Sequence, residues 1–270
     1  PHSLHLIGEQ LKHKLDILWV ADFRDPWTTI GYHKKLRLLP RAKKKHKELE
    51  SKVLNSADKI IVTSNNTKLN FATLTKQPIE VITNGYDYES VASVELDEKF
   101  SISHIGSLLS DRNPEVLWKV LEELIDINKV FASMLQLNFV GSVSEEVLRS
   151  LEEYNLSQYV NLKGYVPHVE AIKYQRKSQV LLLIEIDSED TKCIIPGKLF
   201  EYMVSNRPIL SIGPKGSDVS EILRATNTGN YFLYSDYEAI KEVILDMFEA
   251  FRTGDLKSNA IGLQQYSRKA

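Results

Sequence analysis

Ile194-Ile195-Pro196-Gly197-Lys198-Leu199-Phe200-Glu201-Tyr202-Met203, followed by Ser205-Asn206-Arg207-Pro208-Ile209-Leu210, is the stretch on which the reading of this chain turns. It reads as a loop, a short helix and a buried strand. Pro196 and Gly197 stand where the helix begins, and a proline suits a first turn because the N–H it lacks would be unpaired there. The free amides of that turn are expected to face an anion, with the charge of Lys198 beside them. Glu201 follows three residues later and so shares a helix face with Lys198. Asn206 is suited to close the helix in a left-handed conformation, and residues 208–212 read as a core strand. A cation at a helix start suits a diphosphate, and a carboxylate one turn deeper suits a pair of sugar hydroxyls. The stretch therefore reads as a clamp for a nucleotide sugar. The bland alternative is a helix carrying a solvated Glu and Lys.

Around this stretch the second half of the chain alternates strand and helix. Residues 101–105 read as a strand that runs into Gly106-Ser107, where a glycine lets the backbone approach a ligand closely. Arg112 lies in the following loop, where the bland reading is a solvated side chain. Asn113 and Pro114 read as the cap and first residue of a helix reaching about Asn128. A strand over 135–140, a helix over 144–154 and a short strand over 160–163 come next. Gly164-Tyr165-Val166-Pro167-His168 follows, with His168 read as a helix cap or surface residue. Residues 180–186 are a core strand and 187–191 an acidic loop, read as a donor-site loop rather than a metal site because no histidine or further ligand cluster accompanies it. After 208–212, Ser217 can cap a helix, 230–233 is a last strand and 236–252 a last helix. Residues 253–270 are polar and are expected to cross back toward the first domain. About six strands with helices between them make a complete doubly wound α/β domain.

The first ninety residues offer about three strands. Residues 4–14 read as an amphipathic helix and 15–23 as a buried strand running into Arg24-Asp25-Pro26-Trp27. Charges just past the carboxyl end of a strand are where open α/β sheets place ligands, which makes Asp22, Arg24 and Asp25 site candidates. Alternatively, Arg24 pairs with one aspartate and Trp27 fills core. Strands over 57–64 and 79–83, with a helix over 66–74 between them, lead to an Asn84-Gly85 turn; residues 88–99 read as a linker. The expected division is 1–90 for a partial first domain, 91–252 for the second, and 253–270 for the returning segment. A chain that opens at Pro1, inside a helical pattern, reads as a fragment or processed product. Its half-sheet is expected to expose an apolar face or edge, which invites a dimer.

Composition sets outer limits. The 270 residues are 43% hydrophobic and 26% charged, with a net charge of −2 and one cysteine, Cys193. Such a balance argues against a whole-surface nucleic-acid binder, and a lone cysteine excludes an intrachain disulfide and makes a reducing, cytoplasmic compartment the default. The basic run over 34–52 reads as a solvated helix face from Pro40 onward, with Leu49 and Val53 toward the core. The sharper reading is peripheral contact with an anionic membrane, on its inner face.

The clamp and its flanking elements resemble the donor-binding region of the retaining glycosyltransferases of GT-B fold, the large family 4 group. The resemblance implies two Rossmann-like doubly wound domains, the first incomplete here, and transfer of a sugar from a nucleotide diphosphate sugar to a hydroxyl of a glycan or lipid-linked acceptor, with no cofactor or metal. In that family a glutamate of the short helix holds the ribose, and Glu201 occupies its place. Many members carry another glutamate eight positions earlier, where this chain has Cys193. Arg112 matches by position the basic residue aimed at the diphosphate, with Lys198 as its partner. The backbone of Gly164-Tyr165-Val166 matches the segment that receives the base, and Gly106, Ser107, Pro196 and Gly197 complete the implied donor set. Asp22–Asp25 matches the strand end that faces the reacting sugar, with Arg24-Asp25 where many relatives have His before Asp. A nucleotide-sugar 2-epimerase and a non-catalytic nucleotide-binding domain remain as rival readings.

Overall fold

The computed structural model describes residues 2–87 and 94–269. Two compact units emerge: Pro1–Asn84 with Ser188–Pro196 and Gly216–Asp218, and Gly85–Asp187 with Gly197–Lys215 and Val219–Ala270. Of the linker expected over 88–99, residues 88–93 lie outside the described residues, and 94–98 carry neither helix nor strand.

The first unit contains α1 (Ser3–Leu15), β1 (Val20–Phe23), α2 (Gly31–Lys35), α3 (Pro40–Ser56), β2 (Lys59–Val62), α4 (Asn65–Ala72) and β3 (Ile79–Val81). Its three strands pair in the order β1-β2-β3, all parallel. The strand expected from Leu15 starts five residues later. Asp16 adopts a left-handed φ of 53° at the end of α1, so Ile17 and Leu18 lie exposed instead of entering the sheet. Phe23, Trp27, Val53, Leu54, Ile60, Val62 and Phe71 form the core. Leu4, Ile7, Leu11 and Leu15, at helical spacing on α1, remain exposed.

The basic run is divided between α2 and α3. Pro40 opens α3, Val53 and Leu54 face the core, and Lys43, Lys44, Lys45 and Lys47 face solvent. Glu50, inside this run, is only 2% exposed. Its carboxylate accepts from the backbone N–H groups of Trp27 (3.1 Å) and Thr28 (3.0 Å). A carboxylate that takes two amides from one loop fixes that loop, and the loop here is the one following β1.

The second unit contains β4 (Phe100–Ile105), α5 (Glu115–Ile127), α6 (Lys129–Met134), β5 (Leu135–Val140), α7 (Glu145–Glu153), β6 (Val160–Gly164), α8 (His168–Lys177), β7 (Val180–Ile184), α9 (Lys198–Met203), β8 (Ile209–Ile212), α10 (Asp218–Thr226), β9 (Gly229–Phe232) and α11 (Tyr237–Thr253). The six strands run parallel in the order β6-β5-β4-β7-β8-β9. β4, β7 and β8 are buried at every position, as expected of a parallel sheet covered on both faces. Phe100, Trp118, Phe131, Phe139 and Phe248 anchor the core. Strand order reverses between β4 and β7, and the crevice outside the carboxyl ends at such a reversal is where this architecture binds ligands.

One local expectation is corrected here. Asn113 does not cap α5; Pro114 holds that position, and Asn113 Oδ1 accepts from the indole N–H of Trp118 at 2.7 Å. That bond satisfies a donor that burial of Trp118 would otherwise leave unpaired. The chain end packs on the start of this same unit: Tyr86 donates its N–H to Tyr266 O at 3.0 Å and accepts from the N–H of Arg268 at 3.1 Å. Gly85 permits this approach, since a Cβ there would lie 2.4 Å from the Tyr266 carbonyl oxygen.

Candidate functional site

Two loops reach the reversal between β4 and β7. The one after β4 begins at Gly106 and ends in a 3-10 turn, Ser110–Arg112. The one after β7 ends at α9, which carries Lys198, Glu201 and Tyr202. Tyr202 is buried, and its hydroxyl accepts the N–H of Ile105 at 2.9 Å. Lys198, one turn earlier on the same face, lies 3.2 Å from Nε2 of His104. Together these contacts fasten α9 to the last two residues of β4, His104 and Ile105.

Gly106 is what permits the approach. Its φ is +113°, and a Cβ would stand 2.7 Å from Lys198 Nζ. Gly141, at the end of β5, has φ +126°, and a Cβ there would stand 2.7 Å from the Gly106 backbone. Gly164 closes β6 with φ +61° and nothing within 4 Å of an added Cβ. The carboxyl ends of three adjacent strands thus present bare backbone.

The electrostatics centre on a buried cation, Lys198. Burial lowers the Lys198 pKa to about 8, with the nearby charge of Arg112 acting in the same direction and Glu201 against it. His104 cannot offset that charge. Burial, then Lys198, push its pKa down to about 3. Its Nδ1 donates to Leu182 O at 3.1 Å, which leaves Nε2 to accept from the ammonium. Two cations and a neutral imidazole thus lie close to the glycine-bearing strand ends. α9 spans six residues, and its cap, Gly197, makes no side-chain capping bond.

Glu201 lines a cavity of about 320 Å³ together with His168, Ile172, Gln175, Arg176 and Arg268. Its side chain is 34% exposed. His168 Nε2 lies 3.1 Å from Oε1, and Gln175 Nε2 donates to Oε2 at 2.7 Å. His168 therefore does more than begin a helix.

The remaining candidates are distributed as follows. Arg112 and Lys198 are close enough to perturb one another, and Gly106 adjoins Lys198. Ser107 is exposed, Tyr165 is 89% exposed and Val166 half-buried; they follow β4 and β6. In the first unit, Arg24 pairs with Asp22 at 2.9 Å and donates to Asn84 Oδ1 at 3.3 Å, Trp27 is buried core, and burial raises the Asp25 carboxyl. Pro196 clusters with that unit, as does half-buried Cys193, whose thiol burial pushes up. His104, Gly141 and Gln175 were not read from the sequence. Among the described residues, no group of three or more His, Cys, Asp or Glu is arranged to hold a metal, and no helix is long and apolar enough to cross a membrane.

No protein-family model matches the sequence, and no curated protein matches it. Solved structures do. A sucrose-phosphate synthase from Thermosynechococcus elongatus superimposes with a TM-score of 0.65 at 16% identity, over 93% of this chain and 64% of that one. WaaG, a glycosyltransferase involved in lipopolysaccharide biosynthesis, gives 0.64 at 13%, over 92% and 73%. S. aureus TarM, solved in complex with UDP, gives 0.60 at 14%, over 92% and 48%.

The fold is GT-B.

In GT-B terms the six-stranded unit is a Rossmann-like domain, with the reversal of strand order, the cationic pair and the glycine-lined strand ends on one side of its sheet. The chain spans less than two thirds of the length of two of these three structures.

Proposed function

We propose that this chain is the donor-binding part of a retaining glycosyltransferase that moves a sugar from a nucleoside diphosphate sugar to a hydroxyl. The observation that carries the reading is Lys198, an ammonium held beside Gly106, near Arg112, and one turn from Glu201. Arg112 and Lys198 would take up the negative charge that grows on the departing diphosphate. Fixed cations in a partly dehydrated site stabilise such charge without reorganising. Glu201 would receive the ribose hydroxyls, and the backbone at Gly164–Val166 the base edge. Arg24 and Asp25 are assigned to the acceptor side. Retention rests on the family resemblance. A glycan or lipid-linked acceptor is the class suggested by the lipopolysaccharide role of WaaG, and a cytoplasmic membrane face would suit it.

A panel of UDP, GDP, ADP and their sugars in a thermal-shift measurement tests the reading. One nucleotide should raise the melting temperature, and Glu201→Ala and Lys198→Met should each remove that rise. If no nucleotide moves the melting temperature, the donor assignment fails.

One observation favours a second reading, binding without turnover. Cys193, where many members of the resembling family carry glutamate, is a thiol raised by burial and so offers no carboxylate. Incubation with a radiolabelled nucleotide sugar separates the two readings. Free nucleoside diphosphate appears with time if the chain is a catalyst and does not if it only binds.

A further inference from the structure

Resting on the donor reading, the geometry points to Gln175 as the residue that makes this site select a ribonucleotide, by holding the Glu201 carboxylate in a pose that can accept two vicinal hydroxyls. Glu201 is on α9 and Gln175 on the inner face of α8, where it is 3% exposed. The 2.7 Å bond from Gln175 Nε2 to Oε2 reaches the carboxylate from the buried side. His168, seven residues and two turns earlier on α8, approaches the other oxygen, Oε1, at 3.1 Å. Each oxygen of an ionised carboxylate offers about two lone pairs, roughly four in all. Gln175 takes one on Oε2 and His168 one on Oε1. Each oxygen therefore keeps one acceptor site, and the carboxylate keeps its opening to the 320 Å³ cavity. That is the capacity a 2′,3′-diol requires, one hydroxyl to each oxygen.

The pose matters because an unrestrained glutamate would have to be ordered at the moment of binding. Immobilising one flexible side chain costs about 0.5–1.5 kcal/mol. Gln175 removes that cost in advance, and the gain is largest for a ligand that uses both oxygens. A 2′-deoxynucleotide offers one hydroxyl to the pair and gains less from the fixed pose. Gln175 is thus a positioning residue that acts through Glu201, and its signature is a difference between two ligands, not a general loss of affinity.

The test takes whichever of UDP, GDP and ADP binds the chain best, with its 2′-deoxy counterpart, and measures both by calorimetry. The wild-type chain should prefer the ribonucleotide. Gln175→Met, which keeps the length and burial of the side chain but cannot donate, should weaken the ribonucleotide about five- to tenfold and leave the deoxynucleotide nearly unchanged. His168→Ala, at a side chain 58% exposed, should shift the preference the same way and serves if the buried variant does not fold. Preference unchanged in the folded variants, or both nucleotides weakened equally, overturns the role of Gln175 while the donor site stands. A wild-type chain that binds no nucleoside diphosphate overturns both.

Discussion

Lys198 donates to the imidazole Nε2 of His104 across 3.2 Å, and His104 is 1% exposed. An ammonium hydrogen-bonded to a neutral, buried ring is oriented without being neutralised. The ring is the rear support and the glycine-lined strand ends are the open front.

Binding of a diphosphate should weaken as pH rises through about 8, where Lys198 begins to lose its proton. The linkage with stability has the opposite sign. The folded-state pKa lies below the ordinary value of 10.5, so the unfolded chain binds more protons between these two values, and stability rises with pH in that window. Affinity should fall from pH 7 to 9.5, approaching tenfold per pH unit for a single required proton, while the contribution of Lys198 to the melting temperature rises. Lys198→Met should abolish most binding, flatten that part of the pH profile, and melt no lower than wild type at pH 7. Calorimetry and melting curves over pH 6.5–9.5 decide it; affinity that is level across the range excludes Lys198 as the diphosphate cation.

Gly106→Ala should damage both stability and binding. The backbone is at φ +113°, and the added methyl would meet Lys198 Nζ at 2.7 Å. A backbone held in such a region costs of the order of 1–3 kcal/mol. Relief by displacement of the lysine would separate the ammonium from its support. Gly197→Ala is the control for stability, because its φ is −55° and an added Cβ finds nothing within 4 Å. Urea unfolding of the two variants should place Gly106→Ala well below wild type and Gly197→Ala close to it. Equal midpoints would show that the strain at Gly106 is not real.

Lys198 and Glu201 were legible because they sit three residues apart on one short helix, and helical spacing alone puts them on one face. The six-strand unit was legible because buried parallel strands are continuous apolar runs separated by amphipathic helices, as at Val180–Ile184. The supports of the site were hidden for a physical reason. Gln175 and His104 reach α9 from 26 and 94 residues away, and no local pattern encodes such pairs. α8 itself has little apolar periodicity, with two buried residues, Ile172 and Gln175, so no pattern marked Gln175 as facing inward. Nothing in the lysine-rich run marks Glu50 for burial, since burial of a single acid depends on which loop it meets. Asp16 hid the true start of β1, because a left-handed non-glycine residue leaves no mark in a hydrophobic run.

Acid should loosen this fold through histidines kept neutral inside it. In the first unit the His2 ring stacks on Trp27 with centroids 5.1 Å apart, the His5 ring stacks on Phe23 at 4.0 Å, and His33 Nε2 lies 3.0 Å from His46 Nδ1. Burial is the main cause that lowers His2 to about 4 and lowers His5 and His33. Asp22 opposes the shift at His5 and Glu50 at His33, while Lys43 and His46 add to it at His33. In the second unit His104 is held at about 3. The folded values all lie below the ordinary 6.5, so the unfolded chain takes up more protons as pH falls through 6.5, and stability is lost from there downward. The loss continues to about pH 4 for His2 and to about 3 for His104. The urea midpoint should therefore drop steadily between pH 7 and 4.5. His5→Phe, which keeps an aromatic ring against Phe23 but cannot take a proton, should reduce the slope. A midpoint that stays level to pH 4.5, or a slope unchanged in His5→Phe, would mean these rings reach solvent and are not held neutral by the fold.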